Sequence, residues 1–452
     1  MIGYSVRLGR FSIPVTPAFV LYAFALCASA ATLYLVGPLL QLTYASWAEY
    51  YRMLGELLRI WGTAFGIIFC LVLLYLALRG LITGSLKSLF LVVSRLETIL
   101  LLLFAANILW AGIGLLNGAP VSFIVGDTFR GLFIPAIYFV VKKSVSSEEH
   151  ALFLARFIIF GETALLFVLA ATGWVPFSFA GRIFVAVVFL SLLIEEMNSW
   201  HRFWYSVLLL FGIFLILTTE AVRGSIIVFV ASILLNYYFR LRDIKIGVVV
   251  FAFVLPMLLL FQASEIFDIG LSKQVGIAEQ RFSGAIRGKR EYYGLDESLF
   301  QRIGETIDVG RTFAGQSPVY VLTGFGNGAQ LVNQLITPSE RWVYKSNVKH
   351  NLYVTAVAIL YRNGLLGLAL YGMLVLYVVR SLRLLRQYRH IARNYRKYIY
   401  LKTLCVYQLS AILISFVSYW YVGNIVVAFT LPLIEILRRD LVHTIRRQDA
   451  TS

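Results

Sequence analysis

Charge is scarce in this chain. Only 14% of its 452 residues are Asp, Glu, Lys or Arg, while 60% are hydrophobic even with glycine left out. Soluble domains are about 45–50% apolar with glycine counted. So few polar residues cannot cover a soluble globule of this size, and disordered and coiled-coil classes fall for the same reason. A protein solvated by the bilayer remains. Cysteine is nearly absent: Cys27, Cys70 and Cys405 each lie in an apolar stretch, which argues against a disulfide framework. The spacing of Cys and His suggests no zinc site, and no metal or cofactor is expected. Internal repeats and low-complexity segments are missing too. A transporter built on inverted repeats would tend to show two matched halves, and nothing early in the chain matches its one large polar stretch.

Long apolar runs are what the sequence does have. Twelve read as spanning helices, at roughly 17–40, 60–79, 96–116, 122–141, 151–172, 178–195, 203–219, 222–239, 246–263, 351–379, 401–421 and 423–437. Each is near the ~20 residues needed to cross the hydrocarbon. They are too long and too continuously apolar for barrel strands. The expected fold class is an all-α polytopic membrane protein, about 12 transmembrane helices with a large, partly helical external loop. It divides into 1–263 with nine helices and short loops, 264–349 as the loop domain, and 350–452 with three helices and a basic tail. The first run follows Arg7 and Arg10 and continues past Ala28-Ser29-Ala30 to Leu40, so it reads as an uncleaved signal-anchor.

The net charge of +17 has to be mapped before it is interpreted. With the N-terminus inside, one set of loops holds Arg79, Lys87, Arg95, Lys142, Lys143, Arg202, Arg240, Arg242 and Lys245. The largest basic cluster runs from Arg380 to Lys402, and Arg438, Arg439, Arg446 and Arg447 follow in the tail. The opposite short loops, near 117–121, 173–177 and 420–424, carry no basic residue. This is the bias expected of cytoplasmic loops, with both termini in the cytoplasm. Most of the excess is therefore topology, and no nucleic-acid partner is implied. The first external loop, 41–59, mixes Glu49, Arg52, Glu56 and Arg59 with Tyr44, Trp47, Tyr50 and Tyr51 and reads as an amphipathic interfacial helix. The loop 264–349 carries ten Lys/Arg and nine Asp/Glu. Long domains translocate regardless of charge, and loops of this length are usually functional.

A few external residues can carry chemistry. Residues 295–313 look helical, with Asp296 as a cap and Leu299, Ile303 and Ile307 at helical spacing; Arg302 lies on this helix. Gly324, Gly326 and Gly328 mark a tight turn, more often structural than ligand-binding. His350 and Asn351 stand where the loop re-enters the membrane, and a histidine there can activate a hydroxyl. Glu220 and Arg223 lie at the external end of apolar runs, as do Asp127, Arg130 and Arg182. Charges so placed pair with one another or line a polar cavity. Taken singly, each is as well read as a structural pair or anchor. Together, Arg130, Arg182, Arg223, Arg302 and His350 gather near one membrane face. Arginine forks suit phosphate oxygens, so the set suits a lipid-linked phosphate substrate. Phe300, Phe313, Tyr320, Phe325, Trp342 and Tyr344 of the loop suit packing or a membrane belt, and less often sugar contact.

These residues resemble the O-antigen ligase/O-antigen polymerase family of bacterial membrane glycosyltransferases. "FQRIGETIDVG…SPVYVLTGFGNG" is similar to the family's arginine helix leading into a glycine-rich turn, and "HNLYVTAVAILYRNGLLG" to its histidine-asparagine re-entry followed by GxxG. The resemblance covers about 218–375; the first 200 residues match only in hydropathy. It implies a fold grouped with the C-type glycosyltransferases and metal-independent transfer of an undecaprenyl-diphosphate-linked glycan at the periplasmic face of the bacterial inner membrane. The acceptor would be a sugar on another lipid-linked repeat or on the lipid A core, with membrane lipids and other polysaccharide-assembly proteins as further partners. By position, His350 matches the catalytic histidine, and Arg223 and Arg302 match the diphosphate-binding arginines. Arg130, Arg182, Glu220 and Asn351 are supporting candidates. Two departures stand out: Gly364 and Gly367 follow Asn351 by about one helical turn more than is usual, and Arg362 sits between. Along a straight helix Arg362 would lie ~18 Å from His350. Either that helix starts well outside the membrane, or Arg362 faces a polar cavity.

Three readings compete. A polymerase and a ligase need the same donor site; the loose re-entry motif leans slightly to polymerase. A lipid-linked glycan transporter or flippase would place its charges along a path through the bilayer, and Arg362 points that way. A non-catalytic assembly partner would use the loop as a docking surface.

Overall fold

The computed structural model describes residues 4–8, 11–16, 18–24, 94–145, 147–171, 191–195, 200–207, 223–241, 291–292, 295–335, 348–350, 352, 354–415 and 425–450, with scattered positions in 64–78 and at 188 and 190. The fold is mostly helical. In chain order its elements are β1 (Tyr4–Leu8), β2 (Phe11–Val15), α1 (Arg95–Leu116), α2 (Val121–Ser144), α3 (Glu148–Ala171), α4 (Arg223–Tyr238), β3 (Glu291–Tyr292), β4 (Leu295–Asp296), α5 (Glu297–Ala314), α6 (Pro318–Thr323), β5 (Leu331–Val332), β6 (Val348–Lys349), α7 (Thr355–Gln387), α8 (Arg389–Ala392), α9 (Arg396–Ser415) and α10 (Ile425–Asp449).

Three of these helices, α1, α2 and α7, are long and apolar enough to cross a membrane. They correspond to the runs at 96–116, 122–141 and 351–379. Helices α3 and α4 cover the runs at 151–172 and 222–239. The run at 246–263 and the interfacial helix expected at 41–59 lie outside the described residues, as do parts of 17–40, 60–79, 178–195, 203–219, 401–421 and 423–437.

The all-α expectation did not contain the N-terminal hairpin. β1 and β2 pair antiparallel, with Tyr4 opposite Val15, Val6 opposite Ile13 and Leu8 opposite Phe11. Along the two strands the apolar residues alternate with Ser5, Arg7 and Ser12. That two-residue period was there to be read in the sequence.

The chain forms two compact units. The first comprises Met1–His150, Glu297–Tyr377 and Ser415–Pro432; the second comprises Ala151–Asp296, Val378–Ile414 and Leu433–Ser452. In the first, α1 and α2 make an antiparallel hairpin clamped at both ends. At one end Ser94 caps α1, with a reciprocal capping box to Glu97. Glu97 is fully buried and takes Lys142 Nζ at 2.6 Å and the Tyr138 hydroxyl at 3.3 Å, tying the start of α1 to the last turn of α2. At the other end the turn 117–120 is closed by the Ala119 amide donating to the Gly114 carbonyl at 3.0 Å. Between the clamps Gly131 faces the Asn107 side chain, and a Cβ there would collide with it.

The second unit is held by buried polar contacts. Lys402 Nζ meets Glu195 Oε1 at 2.6 Å with both side chains fully buried, and the Leu241 amide donates to the same oxygen at 2.9 Å. The Ser232 and Ser410 hydroxyls meet at 2.6 Å, and Asn236 bonds Ser191 and the Ser232 carbonyl. Such groups are tolerated in an apolar interior because each finds a partner.

Candidate functional site

In the first unit, the segment Gly324–Gly328 threads between three helices. Its glycines have φ of 73°, 88° and 81° at 324, 326 and 328, a region that only glycine enters at little cost. Space demands glycine as well: a Cβ at Gly326 would strike the Gly114 backbone of α1, and one at Gly324 would strike the Arg362 carbonyl. The turn is therefore structural, as its simpler reading has it, and what it supports is a charged cluster.

Helix α7 breaks at Gly364, with φ 64° and ψ −165°. The two carbonyls before the break take outside donors: Tyr361 accepts from the Phe325 amide at 3.0 Å and Arg362 from the Gly326 amide at 2.9 Å. The Asn327 amide donates to the Trp110 carbonyl at 2.9 Å, and its side chain reaches Thr128 Oγ1 at 3.0 Å. The Gly328 amide then donates to Asp127 Oδ2 at 2.9 Å. One five-residue turn thus fixes α1, α2 and α7 against one another at the level of Asp127.

Asp127 is buried, and its other oxygen carries the rest of the cluster. Arg362 Nη1 donates to Oδ1 at 3.0 Å, and His350 Nε2 lies 3.5 Å from the same oxygen. Arg362 Nη2 donates to the His350 carbonyl and faces His350 Nδ1 at 3.4 Å. An arginine only donates and a carboxylate only accepts. Nδ1 is therefore the acceptor, and the imidazole proton is assigned to Nε2. Phe123 stacks on the imidazole, centroids 4.1 Å apart and 9° from parallel. Burial holds His350 below the usual imidazole range; the Arg362 and Arg130 charges push the same way, and Asp127 opposes them.

The loop places His350 through paired ends. β5 and β6 match Leu331 with Lys349 and Val332 with Val348. Lys349 Nζ meets Glu305 Oε1 of α5 at 2.5 Å with both side chains buried. Asp308 Oδ2 accepts the Gln334 and Leu335 amides at 2.8 and 3.0 Å. The helix expected over 295–313 is present as α5, but its buried side differs from the one its spacing suggests. Ile303 and Ile307 are exposed, whereas Phe300, Glu305, Asp308 and Val309 are buried. The acids turn inward because the loop supplies Lys349 and two backbone amides.

Beside Arg362 lies a recess lined by Asn107, Asp127, Arg130, Asn327, Asn363 and Tyr371, among others. Its water-accessible volume is about 30 Å³, room for a water or two. Arg362 faces this polar recess, which settles the alternative left open by the sequence. Helix α7 starts at Thr355, and a helical side chain leans towards the N-terminus, so the guanidinium reaches back to His350 across residues that are not one straight helix.

Of the residues proposed from sequence, the structure brings His350 and Arg130 to this cluster. Arg302 is half-buried on α5 in the same unit but does not line the recess. Arg223 opens α4 in the other unit; its side chain, with Arg182, Glu220 and Asn351, lies outside the described residues. Asp127, weighed as a partner of Arg130, meets Arg362 and His350. Asp127, Arg362 and Asn327 are the residues that sequence reasoning undervalued. The signal was a charge inside an apolar run, twice over. The loop aromatics pack: Phe325 lies 4.9 Å from Tyr361, 5.4 Å from Phe313 and 4.8 Å from Tyr320. Trp342 and Tyr344 lie outside the described residues. Among the described residues no three His, Cys, Asp or Glu side chains converge as a metal site. The chain matches no family model and no curated protein.

Proposed function

We propose that this chain is a glycosyltransferase of the bacterial inner membrane, moving an undecaprenyl-diphosphate-linked glycan onto a sugar hydroxyl at the periplasmic face. The observation that carries the reading is the buried Asp127–His350–Arg362 cluster beside Arg130. It sits about 10 Å in from the starts of α2 and α7, at 1.5 Å per residue, inside helices apolar enough to span a bilayer. Charges so placed are costly and mark function by default. Their position near one end of the helices favours a site at one face over a path through the midplane.

In this reading twelve spans put both termini in the cytoplasm. His350 takes the proton of the acceptor hydroxyl, whose oxygen forms a bond to the anomeric carbon. The bond from that carbon to the diphosphate oxygen breaks, and the leaving lipid diphosphate takes the electron pair. Arg223 and Arg302 bind the diphosphate, with Arg130, Arg182, Glu220 and Asn351 in support; the proton leaves His350 to solvent or to the diphosphate. No metal is needed. The loose re-entry motif favours a polymerase of surface polysaccharide repeats over a ligase onto the lipid A core.

The test is glycan profiling of a deletion strain complemented with His350→Ala or Arg223→Ala. Both variants should insert normally and lose glycan extension, the histidine change by about 10²–10⁴-fold, as for loss of a general base. A single-repeat product retained in the deletion strain means polymerase; full-length polymer held on the lipid carrier means ligase. Normal polymer in both variants would overturn the reading and leave an assembly partner or a flippase.

A further inference from the structure

We propose that helices α5 and α6 lie in the membrane–water boundary with their outward side chains against lipid, and that they seat the stem of His350 in the leaflet. The seat follows from the spanning helices and does not depend on the chemistry assigned to His350.

Helix α5 is amphipathic in the sense opposite to that of a helix at a water surface. From residue 300 on, its exposed positions are Ile303, Thr306, Ile307, Gly310, Arg311 and Ala314. Both carboxylates of that stretch, Glu305 and Asp308, are buried. A water-facing helix turns charge outward and isoleucine inward. The one exposed charge, Arg311, sits on a long apolar stem that lets it reach headgroups from an apolar surface. Helix α6 also turns apolar residues outward. None of its six residues is buried, and Val319 is 63% and Leu322 56% exposed. A helix this short is stabilised by the surface its apolar side rests on, and that side faces out of the protein.

Two ties level these helices with the spanning ones. Val309 and Phe313 of α5 pack with Val357, Ala358 and Tyr361 of α7 in one hydrophobic cluster. Those three lie in the first two turns of a helix apolar enough to cross a membrane, so α5 rests on the flank of α7. Asn117, at the tip of the α1–α2 hairpin, donates to the Phe325 carbonyl at 2.9 Å and accepts from the Tyr320 hydroxyl at 3.2 Å. That pins α6 beside the tip. From Leu102 to the end of α1 the exposed residues are Leu102, Ala105, Ile108, Leu109, Leu115 and Leu116, the unbroken apolar side that a spanning helix gives to lipid. Leu116, the last residue of α1, is 89% exposed, so lipid extends as far as the tip. Asn117, Gly118 and Ser122 follow and are exposed as well, which puts the tip at headgroup level. Pinned there, α6 continues the lipid face of α1 at its boundary, where a tyrosine such as Tyr320 is favoured. Lys349 Nζ meets Glu305 of α5 at 2.5 Å, so the stem of His350 shares the depth of α5.

The test is photo-labelling of the full-length wild-type protein in phosphatidylcholine–phosphatidylglycerol liposomes, with adducts mapped by peptide mass spectrometry. Three probes are compared: a phospholipid with a diazirine near its headgroup, one with the diazirine at the end of its acyl chain, and a water-soluble diazirine present inside and outside the liposomes. Ile303, Ile307, Val319 and Leu322 should take the headgroup-proximal lipid probe more than the chain-end probe. Leu109, about 10 Å further along α1 than Leu116, should show the reverse ratio. The water-soluble probe should label the exposed C-terminal residues 446–449 and spare those four. Labelling of the four by the water-soluble probe to the level of 446–449 overturns the proposal and makes α5 and α6 part of a solvated domain. Protection of the four from all three probes overturns it too, since a second copy or another part of the chain then covers the face. Glycan output does not enter the readout, so the lipid seat stands or falls apart from the glycosyl-transfer reading.

Discussion

Asp127 accepts the Gly328 amide at 2.9 Å across 201 residues of chain, and that bond aims its other oxygen at Arg362 and His350. The cluster depends on the turn as much as on its charged members.

Gly326→Ala should therefore be among the most harmful small changes in the chain. It combines a φ of 88° with a collision against Gly114. Left-handed strain alone costs about 1–3 kcal/mol for a non-glycine residue, and the collision adds to it. Gly112→Ala, on the same helix as Gly114 with nothing near its Cβ, should be neutral or stabilise by up to about 1 kcal/mol. Thermal unfolding of both variants in detergent checks the contrast; equal midpoints would contradict the packing of the turn.

Removing one member of the charged cluster should hurt more than removing two. Asp127→Ala strands the Arg362 guanidinium at 5% exposure, and breaking a buried pair costs about 3–5 kcal/mol. Adding Arg362→Met removes the stranded charge, so the double variant should be more stable than Asp127→Ala alone. A double-mutant cycle measures the coupling; additive losses would show that the pair is not formed.

His350 should make stability depend on pH in one direction. Its folded pKa lies below the usual value of about 6.5, so near that pH the unfolded chain binds the proton more readily. The stability contribution is intact above about pH 6.5 and is lost as pH falls towards the folded value. His350→Gln should flatten that part of the profile relative to wild type. The check is the difference in unfolding midpoint between the two proteins from pH 8 to pH 5; parallel curves would count against a buried neutral imidazole.

Lys402 and Glu195 offer a control in the second unit. Lys402→Met leaves Glu195 buried without its cation and should cost about 3–5 kcal/mol. Glu195→Gln added to it should recover much of the loss. Glycan output per folded molecule should not change in either variant, because neither residue is among those proposed to take the proton or bind the diphosphate.

Residue type and run length made α1, α2 and α7 legible, because a spanning helix must be apolar all round over a set length. The same rule made Asp127 and Arg362 visible as exceptions without saying that they meet. Their meeting depends on the break at Gly364 and on a turn some 200 residues from Asp127, and neither leaves a local periodic signal. Helix α5 was legible as a helix. Its helical period was legible, but which side turns inward was not, because that side is set by the loop bringing Lys349 to Glu305. The β1–β2 hairpin was legible in its alternation, a two-residue period that a helical reading of an apolar chain does not contain. His350 stood out in the sequence by its type and its place ahead of an apolar run, whereas the partners of its two nitrogens come from other helices and have no trace in the sequence around it.

The β5–β6 ladder has a practical consequence. By pairing Leu331 with Lys349 it fastens the stem on which His350 stands, whatever the length of the chain between its strands. Lengthening a closed loop costs only about 0.6 kcal/mol per doubling. The stem should therefore tolerate a change in the length of chain that joins its two strands, with His350 kept in place.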